Sequence, residues 1–145
     1  MKLVYRWMII VCMLFVCGCA GSSRQQAAVE PASVQKIQQM TEEQRSFAVV
    51  LTQSMCSSCR DVRSMLSAWK EKHSGIIYMV TLDEAVTDRE KELLQQLFPD
   101  FYATPGVYYM RKGAASSRFW SSDYKTCEDD FAAWLQLQEK QASLM

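Results

Sequence analysis

The feature that most constrains the fold is an apolar segment that runs directly into a pair of cysteines. Phe47–Thr52 is an uninterrupted apolar and β-branched run, which predicts a strand buried on both faces of a sheet. Cys56 and Cys59 follow with CxxC spacing, and a helix is predicted from there because apolar residues recur on one stripe. That stripe consists of Cys59, Val62, Met65, Leu66 and Trp69. The pattern therefore predicts a buried strand that delivers a cysteine pair to the start of a helix.

The rest of the chain alternates between strand and helix patterns. The further predicted elements are a helix within Ser33–Arg45, a strand at Ile76–Leu82, a helix after a Thr87–Glu90 capping box, strands at Gly106–Met110 and Ser116–Ser121, and a helix capped by Thr126. This alternation predicts an α/β fold, a three-layer sandwich whose central sheet mixes parallel and antiparallel pairings among about four strands.

The N-terminus has the pattern of a secretory signal. Lys2 and Arg6 precede a short uncharged apolar run that ends at Val16–Ala20. That ending resembles a bacterial lipobox, which predicts cleavage after Gly18 and a lipid-modified N-terminus at Cys19. An uncleaved N-terminal anchor is the alternative. Both interpretations locate the remainder outside the cytoplasmic membrane, and the first predicts an extracytoplasmic protein anchored to a bacterial membrane by its lipid.

The sequence thus divides into three parts. Residues 1–18 are the predicted signal peptide, residues 19–32 the lipidated N-terminus and a flexible tether, and residues 33–145 one folded domain. The tether is predicted because its Gly, Ser, Gln and Ala residues cannot bury a core. The chain holds 16 basic and 16 acidic residues, so losing two basic residues with the signal leaves a slightly acidic protein. That balance argues against a nucleic-acid partner.

The cysteines left after the signal and the lipid site are Cys56, Cys59 and Cys127, which are too few for a disulfide framework. Because Cys56 stands at the helix start, unpaired N–H groups and the helix dipole favour its thiolate. Cys59 lies on the apolar stripe and is expected to be buried. This asymmetry predicts that Cys56 is the nucleophile and that Cys59 resolves the mixed disulfide. Cys127 is interpreted as a core residue, with a free thiol for a partner as the alternative.

Three elements in order carry a family resemblance: the strand Phe47–Thr52, the CxxC at the start of the next helix, and Thr104-Pro105 before the third strand. With them the chain resembles the thioredoxin-like superfamily. With the lipobox it resembles the membrane-anchored, extracytoplasmic thiol-disulfide oxidoreductases of that superfamily. A weaker similarity links it to thioredoxin-like accessory proteins of bacterial peptide export.

The resemblance implies a thioredoxin-like fold and disulfide exchange with protein or peptide substrates through Cys56 and Cys59. It implies no cofactor besides that disulfide. Substrate-facing positions are expected at Met55 and at Thr104-Pro105, whose peptide bond is cis in the family. A membrane or extracytoplasmic redox partner is implied as well, together with attachment to the membrane through the lipid.

Departures from the family pattern leave other functions open. Val50 occupies a position where many members bury a proton-shuttling acid, and Met55 one where reductases carry tryptophan. A redox-silent binding or accessory module for an exported peptide or membrane partner is therefore one alternative. A zinc or copper site is another, but it would have to recruit His73, Cys127 or Met55, so no metal ligand is assigned. Ser57-Ser58 matches neither strong reductants nor strong oxidants, which leaves the direction of electron flow open.

Overall fold

The computed structural model of the chain describes residues 26–83 and 86–144. Its elements in chain order are β1 (Ala28–Pro31), α1 (Val34–Glu42), β2 (Phe47–Thr52), α2 (Ser57–Lys72), β3 (Ile76–Thr81), α3 (Asp88–Leu97), β4 (Gly106–Arg111), β5 (Ala114–Phe119) and α4 (Glu128–Ser143). None of the helices in this described part has the length and apolar character that a membrane crossing requires. The predicted signal peptide and Cys19 lie outside the described residues.

The strands of the described residues form one mixed sheet in the order β1-β3-β2-β4-β5. β2 lies at its centre, where it pairs parallel with β3 and antiparallel with β4, and every residue of β2 is buried. The predicted α/β sandwich with a mixed sheet is confirmed. The sheet has five strands in this part of the chain, which is one more than the sequence predicts.

The additional strand, β1, corrects the prediction that a flexible tether extends to residue 32. β1 pairs parallel with β3, and hydrogen bonds from Ala28 N to Gly75 O and from Ala32 N to Met79 O, both 2.8 Å long, hold its two ends. Ala27 is buried too, at 4% exposure. The sequence does not reveal this strand because backbone hydrogen bonds hold it at the sheet edge, and those bonds require no apolar run.

Different helices cover the two faces of the sheet. Side chains of β2 alternate between the faces, as extended backbone requires. Ala48 and Val50 pack in the core cluster formed with α2 and α4. Phe47, Val49 and Leu51 pack in the cluster formed with α1 and α3. The buried positions of α2 are those of the predicted stripe, so the start of α2 is fixed against the end of β2.

The two N-caps predicted at threonine residues have different outcomes in the structure. Thr87 and Glu90 form the predicted capping box at the start of α3. Thr126, by contrast, does not cap the last helix. The N-cap of α4 is Cys127, which makes no capping side-chain bond. The Thr126 hydroxyl instead donates to Asp123 Oδ2 at 3.2 Å within the preceding turn.

Candidate active site

The CxxC pair forms a disulfide at the start of α2. Cys56 is the N-cap residue, in extended backbone, and the Cα atoms of Cys56 and Cys59 are 5.1 Å apart. The Cys59 N–H points at Cys56 Sγ, with 3.2 Å between nitrogen and sulfur. After reduction, a thiolate at Cys56 would therefore face both an N–H donor and the positive end of the α2 dipole.

The two sulfurs differ in accessibility. Cys59 is fully buried, at 0% exposure, whereas Cys56 is partly exposed. The difference arises because Cys59 is the first residue of the apolar stripe of α2, and Cys56 precedes the helix. A thiol or disulfide of another protein can therefore reach Cys56 more readily than Cys59. The predicted difference in burial is confirmed, and the roles assigned to the two cysteines stay predictions.

The loop before β4 lies against the disulfide. The Thr104 carbonyl oxygen is 3.7 Å from Cys56 Sγ, and the peptide bond between Thr104 and Pro105 is cis, as the resemblance implies. The Thr104 hydroxyl donates to Gln53 Oε1 at 3.0 Å, which ties this loop to the one that carries Cys56. The structure thus brings both cysteines and the Thr104-Pro105 peptide together.

Exposed apolar side chains flank the disulfide. Met55, directly before Cys56, is 99% exposed and extends into solvent. Tyr102 is 84% exposed and lines a cleft of about 290 Å³ that also borders Gln53 and Thr104. Both side chains are available to contact a bound polypeptide. The substrate-facing role of Met55 stays a prediction.

A carboxylate that belongs to no sequence motif holds the loop in front of Cys56. Asp83 follows β3 and accepts two hydrogen bonds from Ser54, one from its backbone nitrogen at 3.0 Å and one from its hydroxyl at 2.8 Å. These bonds, the backbone one first, hold the pKa of the Asp83 carboxyl below its ordinary value. The sequence signal for this pair is positional: β2 and β3 are parallel neighbours, so the residues after their carboxyl ends meet at one edge.

The buried groups around the end of β2 are almost all apolar. Val50 is fully buried in the cluster with α2 and α4, so no acid lies at that position. Thr52, also fully buried, donates its hydroxyl to Val80 O at 3.4 Å and accepts a hydrogen bond from Arg63 Nη2 at 3.1 Å. Among the described residues, the polar side chains that are buried as a whole are those of Thr52 and Gln138, so no Asp or Glu residue is fully buried in this part of the chain.

Arg118 fastens the loop before Thr104 from strand β5. Its guanidinium lies over the rings of Tyr102 and Tyr108, at 5.3 and 5.5 Å from their centroids. It also donates to the Asp100 carbonyl oxygen at 3.2 Å. Burial raises the pKa of Tyr108 to about 12, so that ring stays neutral. The loop is thereby held at Asp100 and Tyr102, directly ahead of Thr104.

The two further candidate metal ligands lie away from the pair. His73 follows the last turn of α2, about 25 Å along the helix from Cys56, and its ring stacks on Trp69. Cys127 is buried, as predicted; its sulfur lies 3.4 Å from Met65 Sδ, and burial raises the pKa of its thiol. The described residues contain no group of three or more His, Cys, Asp or Glu side chains arranged to hold a metal ion.

Comparison with known proteins identifies the fold. No protein-family model matches the chain, and no curated protein sequence matches it. Among solved structures, the chain is similar to thioredoxin f2 of Chlamydomonas reinhardtii, with a TM-score of 0.55 and 15% identity over 77% of this chain and 97% of that one. It is similar to the oxidised thioredoxin of Plasmodium falciparum, with a TM-score of 0.52 and 13% identity over 79% of this chain and 99% of that one.

The J-Trx1 fragment of ERdj5 is similar as well, with a TM-score of 0.54 and 14% identity over 77% of this chain and 52% of that one. The chain therefore spans about half the length of that fragment. At such low identities these similarities show the fold alone. The chain has a thioredoxin-like fold with a disulfide at the start of α2.

Proposed function

We propose that the chain is a thiol-disulfide oxidoreductase that exchanges disulfides with protein or peptide substrates through Cys56 and Cys59. The observation that carries the proposal is the disulfide itself. Its more accessible sulfur stands at a helix start, 3.7 Å from the Thr104 carbonyl oxygen of the neighbouring loop. The thioredoxins among the similar structures support the same function for this chain.

The proposed exchange transfers two electrons in two steps. The Cys56 thiolate attacks one sulfur of a substrate disulfide, which forms a mixed disulfide and releases the other substrate sulfur as a thiolate. Cys59 then loses its proton and attacks Cys56 Sγ, which closes the Cys56–Cys59 bond and releases the second substrate sulfur as a thiolate that takes up a proton. The reverse sequence oxidises a substrate dithiol and leaves the pair reduced. A dithiol or disulfide of a redox partner restores the starting state.

The potential of the pair determines the direction of that exchange. A value of about −270 mV would make the chain a reductant, and a value of about −120 mV would make it an oxidant. Equilibration of the pair with glutathione at defined ratios of reduced to oxidised glutathione measures the potential directly.

We also propose the lipid-anchored, extracytoplasmic location that the lipobox predicts. Topology supports a suitable orientation. Gln26 bridges Ser74 just before β3, and β1 runs parallel with β3 and therefore with β2. The chain thus enters the domain at the end of the sheet opposite to Cys56. A lipid at Cys19 would attach to that far end and leave the disulfide facing away from the membrane, toward substrates and a redox partner.

The exchange function is tested by trapping. A Cys59→Ser variant lacks the resolving sulfur, so it should accumulate mixed disulfides through Cys56 that are visible on non-reducing gels and disappear on reduction. The Cys56→Ser, Cys59→Ser double variant is the matched control and should accumulate none. If the single variant traps no partner and reduced Cys56 does not react with iodoacetamide near neutral pH, the oxidoreductase proposal is wrong.

Two observations favour a second candidate function. Met55 is 99% exposed beside the disulfide, and Val50 leaves the pair without a buried acid. Both features suit a redox-silent module that holds an exported peptide or a membrane partner. Under that alternative, the double cysteine variant would bind the same partners as the wild type. Under the proposed function, the double variant would no longer capture those partners.

The lipid anchor has its own test. Metabolic labelling with a fatty acid should modify the wild-type chain and leave Cys19→Ala unmodified. The variant should also be lost from the membrane fraction. Equal membrane retention of both chains, without label, would support the uncleaved anchor instead.

A further inference from the structure

We infer that Asp83 is a positioning residue for Cys56: its two hydrogen bonds to Ser54 fix the loop that presents the sulfur to substrates. The inference rests on the proposed function, because the position of Cys56 matters to exchange only if Cys56 takes part in it. Asp83 itself is separated from the disulfide by Ser54 and Met55, so its action is indirect.

The hydrogen bonds between Asp83 and Ser54 extend the pairing of β2 and β3 beyond the last backbone hydrogen bond. The ladder between β2 and β3 is followed by the hydrogen bond from Leu82 N to Thr52 O, 2.6 Å long. Neither strand continues past that bond, and Asp83 supplies with its side chain the acceptors that a strand would supply with its backbone. Ser54 N therefore has a fixed partner although it lies outside the sheet.

The loop has little else to fix it. Gln53, Ser54 and Met55 are all exposed, so no apolar burial anchors them. Gln53 is tied through its flexible side chain to Thr104, whereas Asp83 holds the backbone of Ser54 directly. Cys56 lies two residues after Ser54. Its sulfur accepts the hydrogen bond from Cys59 N–H only while the loop keeps its path into α2.

Asp83 has two effects on Cys56, and they have opposite signs. Its hydrogen bonds hold the loop in the geometry that favours the Cys56 thiolate. Its negative charge, which faces Arg63 on α2, disfavours any additional negative charge nearby. Variants that remove the bonds and variants that remove only the charge should therefore behave differently.

The experiment compares four single variants with the wild type, each as the reduced, full-length chain. Ser54→Ala removes one of the two bonds and keeps the charge, Asp83→Ala removes both bonds and the charge, and Asp83→Asn removes the charge but keeps an acceptor for Ser54 N. Asp88→Asn is the matched control, because it removes a carboxylate whose side chain is 96% exposed on α3. The measurements are the iodoacetamide reaction rate of Cys56 against pH and the reduction potential of the pair, with thermal unfolding in parallel.

We expect Cys56 to react about fivefold more slowly at neutral pH in Ser54→Ala, the effect of one lost hydrogen bond. Asp83→Ala should slow the reaction to a similar extent, because it loses both bonds but also the opposing charge. In both variants the midpoint of the Cys56 pH profile should move upward. Asp83→Asn should react at least as fast as the wild type, and Asp88→Asn at the wild-type rate. All variants should stay folded at the assay temperature.

Three results would overturn the inference. The first is that Ser54→Ala and Asp83→Ala keep the wild-type reaction rate and reduction potential. The second is that Asp83→Ala and Asp83→Asn have the same rate and potential. The third is that each loss of rate equals the fraction of the variant that is unfolded. An unreactive Cys56 in the wild type would instead contradict the proposed function. The two failures are therefore distinguishable in one set of measurements.

Discussion

Replacing Arg118 with methionine should weaken the fold and disturb the site through one loop. The guanidinium contributes two cation–π contacts, to Tyr102 and Tyr108, and a hydrogen bond to the Asp100 carbonyl oxygen. Each cation–π contact contributes about 0.5–1 kcal/mol when partly exposed, and a hydrogen bond from a charged group about 1.5 kcal/mol. Methionine retains part of the apolar packing but none of these three contacts, so we expect the free energy of unfolding to fall by about 3 kcal/mol.

The same change should slow exchange, because Asp100 and Tyr102 lie directly ahead of the Thr104 carbonyl that faces Cys56. A loop that samples several positions presents that carbonyl for part of the time only, so we expect mixed-disulfide formation to slow by about threefold or more. Urea unfolding of the oxidised protein measures the first effect, and capture of a model disulfide by the reduced protein measures the second.

Arg89→Met is the matched control for Arg118→Met. It makes the same change in charge at an exposed position of α3, where substitutions usually alter stability by less than about 0.5 kcal/mol. Equal destabilisation by the two substitutions would refute the role of the ring contacts. A loss of stability in Arg118→Met with an unchanged exchange rate would refute the link between the loop and the site.

Three further predictions concern burial, pH and the edge strand. Cys127 is buried and burial raises the pKa of its thiol, so alkylation of the reduced native protein should label Cys56 and leave Cys127 unmodified until denaturant is added, as peptide mass mapping can check. The Ser54 bonds hold the pKa of Asp83 below its ordinary value of 3.8, so they stabilise the fold above that pH and lose their effect as pH falls through the lowered pKa. The stability difference between wild type and Ser54→Ala should therefore be largest near neutrality and shrink in acid. Urea unfolding at several pH values can show this. Ala27→Asp should destabilise the domain by about 2 kcal/mol, since it places a carboxylate at a buried position. Gln26→Asp, at the exposed neighbouring position, should leave the stability unchanged. Equal unfolding curves for the two variants would mean that this segment is a flexible tether.

The sequence predicts the elements that depend on local patterns. The apolar run Phe47–Thr52 is the central strand, and the stripe from Cys59 to Trp69 is the buried face of α2. Both predictions succeed because side-chain periodicity follows the geometry of the backbone, whatever the rest of the chain does. The cis Thr104-Pro105 peptide is found where the family resemblance implies it.

Contacts between distant segments could not be predicted in the same way. β1 is held by backbone bonds to β3, which leave no apolar signature in Ala28–Pro31. Asp83 and Ser54 are 29 residues apart, and they meet because β2 and β3 pair in parallel, a pairing that the residues around each of them do not specify. The sequence indicates only that Arg118 is a polar residue of an edge strand. Its contact with two tyrosine rings depends on the path of a loop that no periodicity describes.

The absence of an acid at Val50 bears on how the resolving step can proceed in the proposed exchange. Cys59 must lose a proton before it attacks, and no fully buried carboxylate among the described residues is available to take it. The buried hydroxyl of Thr52 is already engaged by Val80 and Arg63. The first attack, however, releases a substrate thiolate beside Cys56, one helical turn from Cys59. That thiolate is itself a base, so the substrate can accept the proton that the scaffold does not, and an apolar residue at position 50 is compatible with exchange.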